Sequence, residues 1–445
     1  MNGVFQSWGR VCRPQSLGFS EPNRPKQVLD QLLRADDPSK VLISAWGRSY
    51  GDVCLNTTGR NFNSKKWDHF ISFDRTSGLL TVEAGVTLRE ILRVVLPAGW
   101  FLPVVPGTQW LSVAGAVAND IHGKNHHVAG TFGRHVCKLW LSRSDQAALI
   151  CSPESNPGLW AATIGGLGLT GLITAVQLQL VRVESSHFEV DYLPFYSLDE
   201  FIALSATSDE DYAYSVAWVD CLNKKYLNRG IFMRGYHAPD GGLLLKKEKS
   251  LVKVPFDFPD YALNRWSMSR FNDVYFSAHK WLKAKRQRVY FEDFLFPLDG
   301  LASWNRIYGR QGFYQYQFVL PLDAAAGLKE IFSHLTKSGL GSFLAVLKIF
   351  GSAISPGMLS FPKQGYTLAL DFPNRGESVL HLFRDLDKRV ADCGGRLYPA
   401  KDALMTEEMF HLGYPRWAEF QEHMDPMFAS DFARRVGLLA RGTTL

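Results

Sequence analysis

Short apolar runs separated by glycine-rich turns constrain the fold of the first 183 residues more than any other feature. Lys40–Ala45 and Leu79–Ala84 are such runs, and their length is typical of strands. Thr87 follows the second run, and Glu90 three residues later completes a capping-box pattern that predicts the start of a helix. A long strand-like run ends the segment. We therefore predict one domain of alternating strands and helices over residues 1–183.

The sequence pattern changes near residue 184. Residues 184–395 contain longer strand-like runs, with the helical runs Ala324–Lys337 and Ser378–Cys393 between them. This pattern predicts a second domain with a mostly antiparallel sheet. Residues 396–445 are helical in pattern and too few for an independent domain, so we expect them to pack back on one of the others. The expected fold class is α+β with two domains.

Composition excludes several protein classes. The 445 residues are 46% hydrophobic and 21% charged, which excludes disordered, collagen-like and coiled-coil proteins. The net charge of +6 does not indicate nucleic-acid binding, and we expect none. The six cysteines show no CxxC spacing and no secretory segment follows Met1, so we expect a reducing, cytoplasmic location. Residues 155–181 carry no charge, but five glycines dilute them, so we expect no membrane span there.

The first candidate site is the turn Trp46–Asp52, which follows the first strand-like run. Its two glycines and a serine present consecutive backbone N–H groups, which suit the oxygens of a diphosphate. An ordinary turn between a strand and a helix would have the same residues. From the residues alone, both interpretations stay open.

The second candidate site, residues 106–127, combines small residues with polar ones. The small side chains of Val113–Ala118 allow close approach of a ligand or another backbone. His122 and His126 have the i, i+4 spacing of some zinc sites, but Gly123 between them disfavours a helix and there is no HExxH pattern. We expect no metal here and favour the polar wall of a pocket for an organic cofactor.

The segment Gly165–Gly171 contains a literal GxGxxG pattern. A dinucleotide-binding GxGxxG follows a strand and opens a helix. Here a helix-like run over 158–163 precedes the glycines and a strand-like run follows them. We therefore reject a Rossmann site at this position.

Three basic features each allow two interpretations. Lys401, flanked by a tyrosine and an aspartate, either supplies positive charge to an anionic intermediate or lies in a solvated loop. Lys348 interrupts the apolar run 343–350, so it either faces solvent or lines a polar cavity. Lys280–Arg288 holds five cations with a tryptophan and a leucine. It is either a solvated helix face or a surface for anionic lipid headgroups or a substrate phosphate.

Together these motifs resemble the FAD-binding PCMH-type oxidoreductases of the vanillyl-alcohol-oxidase superfamily. The resemblance runs from about residue 40 to the end, on the strings GRSYGD (47–52), DIHGKNHH (120–127), GFYQYQFVLP (312–321), GGRLYPAKD (394–402) and FASDFARR (428–435). It implies an FAD-binding domain over residues 1–183, a substrate-binding domain over 184–395 and a segment, 396–445, that returns to the FAD domain.

The resemblance also implies the site residues. The FAD contacts it implies are Ile43, Trp46, Gly47, Arg48, Ser49, Tyr50, Gly51, Asp52, Val53, Gly107, Thr108, Ser112, Val113, Ala114, Gly115, Asn119, Asp120, Ile121, His122, Gly168, Gly171, Ile173 and Tyr398. The substrate contacts it implies are Tyr50, Lys124, Gln315, Gln317, Thr367 and Ala369. As catalytic residues we expect Lys401, the electrostatic partner of the flavin, and either His122 or Lys348, the acceptor of the substrate's hydroxyl proton.

Several residues depart from the family pattern. Arg48 stands where many members attach the flavin through a histidine, so we expect non-covalent FAD. Thr367 and Ala369 stand where related enzymes carry an asparagine and a cysteine, and Tyr366 replaces a tryptophan. These changes alter the expected pocket wall and leave the identity of the substrate open.

The function that the resemblance implies is FAD-dependent oxidation of a sugar ring hydroxyl, the 2′-hydroxyl of a polyprenylphosphoryl pentose. A short-chain NAD(P)H reductase would be the partner that completes an epimerisation. A soluble aldonolactone or alditol oxidase of the same superfamily is the alternative, and a His-cluster metallohydrolase is the alternative from another class. A lipid-linked substrate and the basic run Lys280–Arg288 lead us to expect a cytoplasmic protein with peripheral contact at the inner membrane face.

Overall fold

The computed structural model describes residues 5–12, 19–32, 39–208, 211–223, 228–247, 252–281, 286–340, 342 and 344–439. The fold is α+β, as predicted. The elements up to residue 183 are β1 (Phe19–Ser20), α1 (Pro25–Leu32), β2 (Val41–Ser44), β3 (Arg60–Asn63), β4 (Phe70–Asp74), β5 (Leu79–Glu83), α2 (Leu88–Val95), β6 (Trp100–Phe101), α3 (Val113–Ala118), α4 (His126–Ala129), β7 (Val136–Ser142), β8 (Leu149–Cys151), α5 (Pro157–Thr163), β9 (Leu172–Gln179) and β10 (Val181–Arg182).

The elements from residue 184 onward form the rest of the chain in the same mixed pattern. They are β11 (His187–Phe195), α6 (Leu198–Ala206), β12 (Tyr214–Val219), β13 (Gly230–His237), β14 (Val252–Lys253), α7 (Arg265–Trp281), β15 (Gln287–Tyr290), α8 (Phe291–Leu295), β16 (Leu301–Ala302), β17 (Phe313–Leu320), α9 (Ala325–Ser338), β18 (Ala345–Phe350), β19 (Gly365–Pro373), α10 (Glu377–Asp392), β20 (Arg396–Leu397), α11 (Glu407–Gly413), α12 (Trp417–Gln421) and α13 (Asp431–Arg435).

Two sheets organise the first part of the chain. One is a parallel sheet in the order β1-β3-β2, and the other is an antiparallel sheet in the order β4-β5-β9-β7-β8. The predicted capping box is confirmed at α2: the Glu90 backbone N–H donates to Thr87 Oγ1 over 3.1 Å, and the Thr87 backbone N–H donates to the Glu90 carboxylate over 2.7 Å. This cap fixes the start of the helix because it satisfies two otherwise free N–H groups.

The second part is built on an antiparallel sheet in the order β15-β11-β13-β12-β18-β19-β17-β20. Side chains alternate between its two faces. On β17, Tyr316 and Phe318 join the apolar core that also contains side chains of α6, α9 and α10. Gln315 and Gln317 alternate with them and therefore lie on the opposite face, which borders a cavity.

The glycine-rich segment 165–171 connects a helix to a strand, since α5 precedes it and β9 follows it. The prediction that it is not a Rossmann turn is confirmed. Gly165 and Gly168 have φ of +72° and +75°, values that favour glycine over residues with a side chain. None of the described helices has the length and apolar character needed to cross a bilayer.

The C-terminal segment contacts both halves of the chain. Its strand β20 extends the large sheet by pairing with β17. Further on, the Val41 N–H donates to the Met427 carbonyl over 2.7 Å, and the Ala429 N–H donates to the Val41 carbonyl over 2.9 Å. Arg435 then pairs with Asp52 at 2.6 Å. Through these contacts the C-terminal segment packs against the first part of the chain, beside the cavity.

Candidate active site

A cavity of about 380 Å³ lies between the glycine-rich segments of the first half and the polar face of the large sheet. Its volume is in the range of small-molecule sites. The predicted site residues that line it are Ile43, Trp46, Gly47, Arg48, Ser49, Val53, Gly107, Thr108, Ser112, Ala114, Gly115, Asn119, Ile121, His122, Lys124, Gly168, Gly171, Ile173, Gln315, Gln317, Lys348, Ala369, Tyr398 and Lys401. The structure therefore brings together residues that lie up to 358 positions apart in the sequence, Ile43 and Lys401.

Three of the predicted FAD contacts lie behind the cavity wall and support it. Asp52 forms an ion pair with Arg435 at 2.6 Å. Asp120 is fully buried and accepts hydrogen bonds from the Gly133 N–H over 2.8 Å and the Ser355 hydroxyl over 2.5 Å. Val113 lies in the apolar core. Their side chains hold the backbone of the wall in place.

Three further predicted residues are also outside the lining. At Gly51 an added Cβ would lie 1.7 Å from the Asp402 carbonyl oxygen, so the backbone packs too closely for any side chain. Tyr50 lies beneath Lys401, whose Nζ is 3.9 Å from the centre of the tyrosine ring. Thr367 is fully buried and accepts a hydrogen bond from Gln317 over 3.2 Å. Tyr50 and Thr367 contact Lys401 and Gln317, which line the cavity, and Gly51 packs against the residue next to Lys401.

The wall from the first half of the chain fits FAD. At Gly107 and Gly168 no atom of the described residues lies within 4 Å of the position that a Cβ would take, so the backbone there borders open space. Ser44 Oγ, Trp46 Nε1 and Asn119 Oδ1 are buried and have no hydrogen-bond partner within the described part of the chain. Buried polar atoms are nearly always paired in folded proteins. A ligand with hydrogen-bonding groups along its length, as FAD has, would satisfy them.

Arg48 is held by its neighbours at the same wall. Its Nε donates to the Trp110 carbonyl over 3.0 Å, and its guanidinium carbon lies 4.2 Å from the centre of the Trp8 ring. A guanidinium is charged and not nucleophilic. Arg48 therefore contributes a positive charge and hydrogen bonds to the wall.

His122 is the centre of a buried hydrogen-bonded group on the other wall. Its Nδ1 lies 2.9 Å from Lys348 Nζ and its Nε2 lies 3.1 Å from Gln317 Nε2. A neutral imidazole has one donor and one acceptor nitrogen. One of these two contacts is therefore donated by the imidazole ring and the other is accepted by it. Burial and the charge of Lys348 hold the pKa of His122 well below its ordinary value.

Two lysines of this wall have strongly lowered pKa values. Burial, with the nearby charges of Lys124 and Lys401, lowers the pKa of Lys348 to about 7. Burial alone lowers the pKa of Lys124 to about 7. The Lys124 amine donates to the backbone carbonyl of Phe294 and lies 4.6 Å from the centre of the Phe294 ring. Both amines can therefore change protonation state near neutral pH.

Lys401 has a carboxylate nearby, unlike the other two lysines. Burial lowers the pKa of Lys401, and the charge of Asp371 opposes that effect. Asp371 is itself held by Gln315, whose Nε2 donates to it over 2.6 Å, and by the Tyr308 hydroxyl over 3.2 Å. The group formed by these residues keeps a positive charge at Lys401 more favourable than at Lys348.

Sequence reasoning missed several residues of the site. Asp371 shares a face of β19 with Thr367 and Ala369, so strict alternation along that strand was the signal that could have found it. Trp218 and Val346 line the cavity from β12 and β18 by the same alternation. Tyr275 of α7 also lines it, and no sequence signal marked that residue.

The histidines do not form a metal site in the part of the chain that the structure describes. No group of three or more His, Cys, Asp or Glu side chains there is arranged to hold a metal ion. His122 is engaged as above. His126 is 1% exposed, its ring centre lies 4.4 Å from that of Phe350, and neither ring nitrogen has a hydrogen-bond partner among described residues.

Comparisons with known proteins agree with this geometry. A family model described as an FAD binding domain matches residues 21–145. The chain is 37% identical over 454 aligned positions to the decaprenylphosphoryl-beta-D-ribose oxidase of Mycolicibacterium smegmatis, covering 98% of this chain and 97% of the relative. It is 32% identical to an uncharacterized protein of Streptomyces coelicolor, covering 79% of this chain and all of the relative. A putative D-arabinono-1,4-lactone oxidase of Neurospora crassa is 30% identical over 143 residues, which is 32% of this chain and 25% of the relative.

Proposed function

Because the chain belongs to the family of the decaprenylphosphoryl-β-D-ribose oxidases, within the FAD-binding PCMH-type oxidoreductases, we propose that it oxidises the 2′-hydroxyl of a polyprenylphosphoryl pentose. It is an FAD-dependent oxidoreductase that acts on CH–OH groups. The specific sugar and its lipid carrier are the proposed part.

The observation that carries the proposal is the character of the cavity's two walls. The glycine-rich wall offers backbone and unpaired polar atoms to a long cofactor, and the facing sheet offers Lys348, Gln317 and Lys124. These three side chains can hydrogen-bond to several hydroxyls at once, as recognition of a sugar requires. The amine of Lys124, in its charged form, would also attract the phosphate of a sugar phosphate.

FAD, when bound, supplies the acceptor for the hydride that leaves the carbinol carbon. The chain must then remove the hydroxyl proton, and we assign this role to Lys348. Its pKa of about 7 makes the neutral amine available near neutral pH, where a general base is most effective. His122, held neutral by burial, positions the Lys348 amine through the 2.9 Å contact with Nδ1.

Lys401 has a different role in the proposal. Because Asp371 favours its charged form, Lys401 keeps a fixed positive charge in the cavity wall. Fixed charges in a buried site stabilise negative charge that develops during the reaction. Tyr50, against which Lys401 packs, fixes the position of that charge.

Three finer expectations remain part of the proposal. Non-covalent FAD is supported by Arg48, which is engaged with Trp110 and Trp8 and is not nucleophilic. A reductase that returns the oxidised sugar to an alcohol would act as a partner. A cytoplasmic location with peripheral contact at the inner membrane face would follow from a lipid-linked substrate.

The test is anaerobic mixing of purified, FAD-loaded protein with a panel of candidate substrates while the visible absorbance of the flavin is followed. The panel contains a short-chain prenylphosphoryl ribose, the matching arabinose compound, free ribose and an aldonolactone. We expect the prenylphosphoryl ribose to remove the flavin absorbance fastest, because free ribose and the aldonolactone lack the phosphate and the arabinose compound has the opposite configuration at C2. Faster loss with the lactone would overturn the proposal in favour of an aldonolactone oxidase.

A further inference from the structure

We propose that the outer face of helix α7 docks on an anionic lipid bilayer. This outer face consists of Trp266, Arg270, Phe271 and Val274, with Tyr261 just before the helix. The inference rests on the proposed function, since a lipid-linked substrate would reach the enzyme from such a surface.

The outer face exposes large apolar side chains to solvent. Trp266 is 70% exposed, Val274 69%, Phe271 48% and Tyr261 79%. Within the 17-residue helix, positions 266, 270 and 274 are four residues apart and therefore lie in one row. Tryptophan and tyrosine prefer the boundary between water and hydrocarbon, because each has an apolar ring with a polar atom at its edge.

The charges of α7 fit an anionic surface. The helix carries the cations Arg265, Arg270 and Lys280 and one acidic residue, Asp273. Asp273 is already engaged by Arg229 at 2.5 Å. Arg270 lies in the same row, is 67% exposed at its side chain and lies 3.9 Å from Asp273. A helix with basic residues next to exposed aromatic ones is the type that lies in the headgroup region of a membrane.

The inner face of the same helix reaches the cavity. The Tyr275 ring packs on the Trp218 ring with centres 4.7 Å apart, and both residues line the cavity. Asn272 is fully buried and donates to Asp220 over 2.8 Å, which anchors the helix to the sheet. A bilayer against the outer face would therefore lie one helix diameter from the site, close enough for the headgroup of a lipid-linked sugar to enter.

The basic run Lys280–Arg288 is a poorer surface for lipid than α7. Residues 282–285 lie outside the described residues. Arg286 pairs with Asp191 at 3.1 Å, and Arg288 pairs with Asp240. These two cations are engaged with carboxylates of the protein. The proposed docking surface therefore rests on the outer face of α7, and the contact expected at Lys280–Arg288 stays a prediction.

The experiment measures flotation of the FAD-loaded protein with vesicles of phosphatidylglycerol and phosphatidylcholine, against vesicles of phosphatidylcholine alone. The test variant is Trp266→Ser with Val274→Ser. The matched control is Ile71→Ser with Leu412→Ser, which removes two apolar side chains that are 57% and 63% exposed on other elements. We expect the parent and the control to float with the anionic vesicles and the test variant to bind about ten-fold more weakly.

The readouts separate this inference from the proposed function. All three proteins are expected to keep their flavin and the same rate of flavin reduction with the short-chain prenylphosphoryl ribose, because none of the changes touches the cavity. Equal flotation of the test variant and the parent, or no flotation of the parent, would overturn the docking surface. If the parent does not oxidise the sugar but its flotation depends on α7, only the proposed function would be overturned.

Discussion

Neutralising Lys124 is expected to shift the pH dependence of substrate oxidation, because Lys124 is one of the two charges that lower the pKa of Lys348. Lys348 has a pKa of about 7 in place of 10.5. That difference corresponds to ~5 kcal/mol against the protonated amine in the folded protein. Burial contributes the largest part, and the charges of Lys124 and Lys401 contribute the rest.

The sign and size of the shift follow from the role of Lys348 as a base. The base acts when neutral, so the rate falls as the pH drops below the pKa of Lys348. The variant Lys124→Met removes a like charge, and a neighbouring charge moves a buried pKa by about one unit. The pKa of Lys348 therefore rises in the variant. At neutral pH the active fraction should fall from about a half to about a tenth of its maximum.

The assay is rapid anaerobic mixing with saturating substrate at a series of pH values, with the first-order loss of flavin absorbance as the readout. Lys124 lines the cavity, so Lys124→Met also weakens substrate binding. Saturating substrate removes the effect of this weaker binding on the measured rate. Lys138→Met is the matched control, because Lys138 is exposed on β7 and carries the same charge. Lys348→Met should lose most of the rate of flavin reduction, and the remaining rate should no longer fall at acidic pH (the acid limb of the pH profile).

Two results would refute this reasoning. One is an acid limb at the same pH in the parent and in Lys124→Met, because the like charge would then have no influence on the base. The other is a Lys348→Met protein that reduces its flavin at the rate of the parent. Either outcome would return the role of proton acceptor to His122 or to solvent.

Three further predictions concern single residues. Lys401→Met should retain FAD but reduce the flavin ~10²-fold more slowly, and an unchanged rate would remove Lys401 from the mechanism. Arg435→Met leaves Asp52 and Asp402 without their cation, so the free energy of unfolding in denaturant should fall by about 3 kcal/mol, and Arg435→Lys should restore part of it. His126 has a pKa of about 3, so the unfolded chain binds a proton there below its ordinary pKa of 6.5 and the native state loses stability as the pH falls. At about pH 5 the free energy of unfolding is lower by ~2 kcal/mol for this reason, and His126→Phe should not show that decrease. The same pH dependence of unfolding in both proteins would contradict this prediction.

Local patterns in the sequence predicted the elements well where a single physical rule decides. The capping box at Thr87 and Glu90 set the start of α2, because two specific hydrogen bonds define it. The apolar run Lys40–Ala45 predicted β2, Val41–Ser44, to within one residue at each end. The glycine pattern at 165–171 was assigned correctly because the elements on either side of it, α5 and β9, contradicted the Rossmann interpretation.

The sequence could not give the arrangement of the elements, since that depends on pairing between distant strands. Nothing local indicates that β12 pairs with β18, more than a hundred residues later. The family resemblance covered the gap for residues that line the cavity, but it did not separate lining from support. Asp120 lies within a motif and Thr367 is one of the implied substrate contacts, yet both are fully buried and bind other residues of the wall. Packing decides which side of a backbone faces a cavity, and a sequence motif does not specify that packing.

Two residues that break the ordinary rules for a buried core lie close together, beside the cavity. A lysine in the middle of an apolar strand and a histidine with two unsatisfied nitrogens would each destabilise an ordinary core. Lys348 and His126 both contact the ring of Phe350 at the end of β18, beside the cavity. The ~5 kcal/mol held against a charged Lys348 is therefore a local penalty that the fold accepts where a neutral amine is useful. By this argument the Lys348→Met protein, although inactive, should unfold at a higher denaturant concentration than the parent at acidic pH, where the parent must bury a charge or expose it.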